Sequence, residues 1–365
     1  MSLPQAESLP NRELNISPIF QVTRGSVIES THYGSLAVVD STGKLLASHS
    51  DPQTVAFLRS SAKPFQAIPF VERGGAEHFN FTLRELSISC ASHVGSDMHV
   101  ETVAGMQKKI GVDESFLLCG AHMPDDVPAL KRLVINGELP TPIRNNCSGK
   151  HTAMLAHAKM RGLPLDNYVD IDHPIQQDIL ATFSDLCLIQ PSDISLGVDG
   201  CSAPNFAIPL FNAALGMARL CDPRALTESR ANACRKITSA MTTHPEMVSG
   251  YSEFDEQLMR VGGGKIVCKR GAEGFQIVGL LPGALANDSP GIGIALKVSD
   301  GDASRMGMNL ESHARVRPAV VLEALRQLGA LSQEQLQALA GFGPVSSIRN
   351  HRGIITGQSR PTFEF

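Results

Sequence analysis

The chain has 365 residues, a net charge of −4 and 19% charged residues, long enough to bury a large core and without the long lysine or arginine runs of a nucleic-acid footprint. No segment reaches the ~20 apolar residues of a membrane-spanning helix, and Met1 to Ile16 lacks the cationic start and apolar stretch of a secretory signal, so residues 1–16 are read as a flexible arm. Eight cysteines at irregular spacings behind such an arm read as thiols of a cytoplasmic protein, and the charge balance suits a small uncharged or zwitterionic ligand.

Taken in chain order, Ser35 to Ala47 alternates around Asp40–Gly43 and predicts a β-hairpin. The stretch Arg59-Ser60-Ser61-Ala62-Lys63-Pro64 follows, opening an apolar helix, Phe65 to Val71, that Pro69 is expected to shorten or kink and Gly74-Gly75 to end. A helix is predicted from Ser96 or Asp97 to Gly111, with Met98, Val103, Met106 and Ile110 on one face, and another from about Lys150 to Arg161. From Gly262 the pattern changes to short apolar runs between glycine-rich turns: Ile266–Cys268, Phe275–Leu281 and Ile292–Val298 read as strands. Two helices, Pro318–Leu328 and Ser332–Leu339, and a turn at Asn350–Gly353 leading to a last strand complete the pattern. The mixture predicts an α/β (α+β) fold in which helices pack on a largely antiparallel sheet, with residues 17–365 as one domain of two closely packed lobes.

Four constellations carry chemistry. Ser60 stands three residues before Lys63, the spacing that puts a hydroxyl and an amine on one side of a helical turn. A serine so placed becomes a nucleophile if the amine is neutral, which requires burial or a second cation. The same spacing at Ser41–Lys44 lies in the predicted hairpin turn, so the pattern alone also fits an ordinary helix start with a capping serine. Ser89 to Gly95 ends an apolar stretch with Ser92 and His93, either a pocket corner or a turn whose side chains bond local backbone. On a strand the two would point to opposite faces, which argues against a Ser-His pair.

Cys147, in Asn145-Asn146-Cys147-Ser148-Gly149-Lys150-His151, and Cys201, in Asp199-Gly200-Cys201-Ser202, are either buried thiols or two ligands of a zinc site. Coordination chemistry favours His151 or Asp199 as a third ligand over Lys150, whose amine, with a pKa of about 10.4 in model peptides, must first lose its proton. Finally, Gly262-Gly263-Gly264-Lys265 fails the phosphate-loop pattern, whereas Lys269-Arg270-Gly271 is either a solvated lysine at a hairpin or a stretch that resembles the Lys-x-Gly companion of Ser-x-x-Lys in penicillin-recognising serine enzymes and serine-type glutaminases. Lys269 would then supply the second cation that Lys63 needs.

Together, Arg-Ser-Ser-Ala-Lys-Pro-Phe-Gln at 59–66, Cys-Ala-Ser-His at 90–93, the Asn145–His151 segment, Asp-Gly-Cys-Ser-Ala-Pro-Asn at 199–205, Lys-Arg-Gly-Ala-Glu-Gly at 269–274 and Asn-His-Arg-Gly at 350–353 resemble the class 3, rhizobial-type L-asparaginases, the zinc-binding Ser-Lys group also called the asparaginase II family. The resemblance implies a fold like that of serine β-lactamases and serine-type glutaminases, a homodimer, and hydrolysis of L-asparagine to L-aspartate and ammonia. It matches Ser60 with Lys63 and Ser92 with Lys269 to two catalytic Ser-Lys pairs, and Arg59 and Asp199 to residues that hold the substrate. It matches Cys147, Lys150 and Cys201 to zinc ligands, against the chemical preference for His151, which becomes a neighbour of the site that bonds substrate or water.

The chemistry expected is an acyl-enzyme formed by one serine, Ser60 before Ser92, with Lys63 taking its proton. Arg59 would bind the α-carboxylate and Asp199 the α-ammonium. Two alternatives stay open: a hydrolase in which zinc-bound water attacks the amide, and a catalytically idle amino-acid-binding protein that retains the pocket.

Overall fold

The computed structural model describes residues 16–302 and 315–365; the arm called over residues 1–16 lies, except for Ile16, outside the described residues. Among the described residues eleven strands occur in groups between helices, in the order β1 (Ser17–Arg24), β2 (Val27–Asp40), β3 (Leu45–His49), β4 (Val55–Phe57), β5 (Ser195–Val198), β6 (Pro204–Pro209), β7 (Ile266–Arg270), β8 (Phe275–Leu280), β9 (Ile292–Val298), β10 (Ser346–Arg349) and β11 (Ile355–Pro361). The larger sheet runs β10-β11-β1-β2-β9-β8-β7, with β3 also paired to β2. A smaller one runs β4-β6-β5. Every pairing among the described residues is antiparallel, in line with the predicted class.

The predicted hairpin is β2–β3: the Asp40 carboxylate accepts from Thr42 N and Lys44 N, and Gly43 supplies the positive φ of the turn. Ser41–Lys44 is thus a turn, as its flanking strands suggested. The helix after Lys63 is longer than expected, Lys63–Glu72, because Pro69 sits inside it without ending it and the chain turns only at Gly74, φ 77°. Nearly every residue of that helix is buried, between the helices Pro174–Cys187 and Glu228–Thr243. The helix Asp97–Ile110 begins after Ser96 and stops at left-handed Gly111, as its pattern predicts. Among the described residues no helix is long and apolar enough to cross a membrane.

The helix Leu210–Cys221 packs on β2, β8 and β9. Its close approach depends on Gly293 in β9, where a Cβ would stand 1.8 Å from the Ala214 carbonyl oxygen. Because that neighbour is backbone, Gly293→Ala is expected to lower stability by about 1–3 kcal/mol or more, measured as a fall in the unfolding midpoint; an unchanged midpoint would contradict this packing.

Candidate active site

Five segments meet around the turn Arg59–Ala62, which packs against both β6 and β7. β4 leads into the tight turn Arg59–Ala62, and the helix Lys63–Glu72 starts directly after it. Ser61 Oγ donates to the Lys269 carbonyl at 2.8 Å, which ties this turn to β7. The segment 90–95 is not a strand, as the alternation argument assumed; it is a loop leaving the helix Leu83–Ser89. That helix and the helix Ser148–Met160 cross closely at Gly149, where a Cβ would lie 2.4 Å from the Ile88 carbonyl oxygen. The crossing brings Ser92 and the Asn145–Lys150 segment together.

At the centre stands Ser92, 3% exposed, between two buried lysines. Lys63 Nζ donates to Ser92 Oγ at 2.8 Å, to the Ala91 carbonyl and, at 3.5 Å, to the Asn146 carbonyl. Lys269 Nζ lies 3.0 Å from Ser92 Oγ and 2.9 Å from the Arg270 carbonyl. Burial, reinforced by the charges of Lys63 and Arg270 and opposed by Asp255, takes the Lys269 amine down to about 7. Ser92 therefore joins both lysines, whereas the Ser60–Lys63 bond suggested by their spacing is not formed. Lys63 enters the core at the start of its helix and is 1% exposed, while Ser60 stays partly exposed in the preceding turn with no side-chain hydrogen bond among the described residues. Lys265, four residues before Lys269 and the other lysine this stretch offers, is exposed at a turn.

Arg59 and Asp199 meet each other, Nε to Oδ1 at 2.6 Å, with both side chains partly accessible. Arg59 holds a left-handed backbone, φ 51°, its N–H donating to Asn205 Oδ1 at 3.1 Å. Such a conformation in a non-glycine residue is uncommon and is maintained here by the β6 asparagine. A zwitterion entering beside Ser60 would meet one group for each of its charges.

The thiol cluster lies behind Asp199. Lys150 Nζ donates to Cys201 Sγ at 3.0 Å, and Cys201 Sγ is 3.6 Å from Asp199 Oδ2. The bond from Cys147, with Lys150 and His151 adding, outweighs burial and pulls the Cys201 thiol far below its ordinary value; the same bond and burial push Cys147 well up. Burial opposes the Lys150 ammonium, but the two sulfurs outweigh it and hold its pKa above the ordinary value. His151 is fully buried, with Nδ1 2.7 Å from Tyr168 Oη and Nε2 without a hydrogen-bond partner among the described residues. Burial brings its imidazole down to about 4.

The donor types suit zinc: two buried thiols, and an amine 3.0 Å from one of the sulfurs, bind it once deprotonated. Among the described residues no group of three or more His, Cys, Asp or Glu side chains is arranged to hold a metal, so such a site depends on the Lys150 amine.

Sequence reasoning missed Asp255, a fully buried carboxylate that accepts from Arg270 N at 2.7 Å and Gln276 Nε2 at 2.9 Å and lies 3.9 Å from Lys269 Nζ. Its signal was present: Asp255 shares the core face of the helix Phe254–Val261 with Leu258 and Met259, an acid where the helical period calls for an apolar residue. Tyr168, which holds His151, carried no comparable signal.

Comparison with known proteins places the chain. No curated protein matches it significantly. Among solved structures, Mglu in its native form is 14% identical over 83% of this chain and 67% of its own, with a TM-score of 0.41. A probable glutaminase from Bacillus subtilis, complexed with 6-diazo-5-oxo-L-norleucine, is 10% identical over 81% of this chain and 83% of its own, with a TM-score of 0.37. The L-asparaginase II family matches residues 20–361. Matched over almost its whole length, the chain belongs to the L-asparaginase II family of amidohydrolases.

Proposed function

We propose that the protein is an L-asparaginase that hydrolyses the side-chain amide of L-asparagine through a serine acyl-enzyme. The observation that carries this reading is the Ser92 hydroxyl held by two buried lysines, one of which, Lys63, follows the partly exposed Ser60 by three residues. Ser60 Oγ attacks the amide carbon and its proton passes to Lys63; the tetrahedral intermediate collapses with cleavage of the C–N bond, and the nitrogen leaves as ammonia after taking that proton. Water then attacks the aspartyl ester, giving aspartate and returning a proton to Ser60. Ser92 is the relay between the lysines, being too buried to meet substrate.

Both amines reach Ser92 Oγ, Lys63 at 2.8 Å and Lys269 at 3.0 Å, and two arrangements share one proton between them. In one, Lys63 donates to the Ala91 carbonyl, the Asn146 carbonyl and Ser92 Oγ, and Ser92 turns its own proton toward a neutral Lys269 amine. A shift of one proton from Lys63 to Ser92 and of another from Ser92 to Lys269 makes Lys63 the base. Arg59 takes the substrate α-carboxylate and Asp199 its α-ammonium, the two opening their own ion pair to do so. Cys147, Lys150 and Cys201 would hold a zinc ion, whose fixed charge would order the segments carrying Asp199 and Asn146 beside the pocket. A cytoplasmic homodimer is the assembly proposed.

Ammonia release from L-asparagine tests the reading, together with peptide mass mapping of acid-quenched enzyme and metal analysis of wild type and Cys147→Ala. Turnover with the aspartyl group on the peptide bearing Ser60, and zinc lost in Cys147→Ala, is expected. Turnover with no acyl peptide would favour attack by zinc-bound water, and asparagine binding without turnover would favour the idle binder.

A further inference from the structure

We infer that Asp255 is a positioning residue for the proposed reaction: its buried carboxylate draws the shared proton across Ser92 onto Lys269 and so frees Lys63 to act as base. This rests on the amidohydrolase reading of the same site and adds a group that neither the motifs nor the Ser-Lys pairing contains.

The charges around Ser92 decide the matter. Arg270 is answered first by Glu253 at 2.6 Å, its direct side-chain partner, and less strongly by Asp255 and Asp125. Arg317 is answered by Asp302 at 3.3 Å. Arg59 pairs with Asp199, and Lys150 with Cys201. The other titratable neighbours are neutral: burial pushes the Cys90 thiol up to about 12 and keeps His93 uncharged, burial and Asp255 push the Cys268 thiol well up, and Cys147 is a thiol. What remains among the described residues is two lysines and one carboxylate, all at most 2% exposed.

Asp255 can balance one ammonium and not two, so the pair Lys63–Lys269 shares a single proton at neutral pH. It is also placed unequally. Asp255 Oδ2 lies 3.9 Å from Lys269 Nζ and makes no contact with Lys63. Burial opposes the charge of Asp255, but Lys269 and Arg270, with the bonds from Arg270 N and Gln276, outweigh it and hold the carboxyl below its ordinary range. The carboxylate therefore favours the arrangement with Lys269 protonated. In reaching it, one N–H bond of Lys63 breaks as its proton joins Ser92 Oγ, and the former Ser92 proton forms an N–H bond at Lys269. Nothing is gained or lost overall, and Lys63 is left as a neutral amine whose new lone pair accepts from Ser92 Oγ–H and reaches the nucleophile by rotation about the Cε–Nζ bond.

The test compares wild type, Asp255→Asn, Asp255→Ser and Asp255→Glu by [15N]lysine NMR titration of the side-chain amines, assigned with Lys63→Arg and Lys269→Arg, and by pH profiles of asparagine hydrolysis. Removing the carboxylate charge makes every proton of the pair easier to lose. In Asp255→Asn and Asp255→Ser the Lys269 amine should lose its proton about one pH unit or more below wild type, and both limbs of the kcat profile should move toward acid by a similar amount. At the optimum kcat should fall about tenfold or more with KM unchanged, and Asp255→Glu should stay nearer to wild type. The inference is overturned if Asp255→Asn or Asp255→Ser folds with an unmoved lysine titration, whatever happens to activity, since a packing role alone would leave it in place. The NMR arm needs no substrate, so an inert wild type would refute the asparaginase reading while the titration still decides the role of Asp255.

Discussion

Ser60→Ala is expected to lower kcat for asparagine hydrolysis by about 10⁴-fold or more, and Ser92→Ala by about 10²–10⁴-fold, for different reasons. The first variant removes the atom that forms the ester. It should still bind asparagine and leave no aspartyl peptide after quenching. The second keeps the nucleophile but takes away the hydroxyl through which Lys63 and Lys269 exchange a proton, leaving two buried amines facing one another. Acylation and deacylation should both slow, so that the ester still forms, late and sparsely. Loss of a buried acceptor carries a stability penalty of about 1–3 kcal/mol, and a measured unfolding midpoint separates that effect from the chemical one. If Ser60→Ala keeps wild-type activity, Ser60 is not the nucleophile, and attack by metal-bound water becomes the better account.

The legible parts of this site are those in which chemistry and local structure share a short segment. Ser60 and Lys63 announce themselves by spacing, and Lys269 is separated from Lys265 by the Gly-Ala-Glu-Gly that follows it, a distinction that burial repeats in the fold. The class of fold was readable because the strand periods after Gly262 and the caps at Ser96, Gly111 and Ser332 are strong local signals. What spacing misread was direction. Three residues between Ser60 and Lys63 fix their distance along the chain, but the helix start turns the lysine inward to a loop 29 residues on. That partner is set by the crossing at Gly149, a tertiary event no window of sequence contains.

Two further misreadings share this origin. Pro69 is tolerated because a helix buried on nearly all sides gains more from packing than it loses from one missing hydrogen bond. Ser92 and His93 do have different partners, as expected, but the premise of a strand was wrong: they lie on a loop, where His93 bonds Ser148 and Ser92 the lysines. Asp255 belongs to a third kind. Its residue type is visible against the apolar face of its helix, but its meaning requires knowing that β7 lies opposite.

Arg59→Asn is expected to reduce kcat/KM for L-asparagine by about 30- to 5,000-fold, the equivalent of the ~2–5 kcal/mol that truncating one partner of a hydrogen-bonded charge pair costs. Asparagine is the informative replacement because Arg59 sits at φ 51°, a conformation that Asn tolerates and that alanine or a branched residue resists. The loss has two sources. The substrate α-carboxylate no longer meets a guanidinium, and Asp199 is left without the partner that holds its carboxylate at 2.6 Å in the free enzyme. These can be told apart by comparing L-asparagine with 3-aminopropanamide, which lacks the α-carboxylate. Wild type should discriminate strongly against the analogue, whereas Arg59→Asn should treat the two amides nearly alike, the expected sign of an interaction removed from both sides of a double cycle. Arg59→Lys, which keeps the charge but not the planar fork, should fall between. If discrimination against the analogue survives in Arg59→Asn, the carboxylate is held elsewhere, and the Arg59–Asp199 pair is a structural clasp between the turn after β4 and the end of β5.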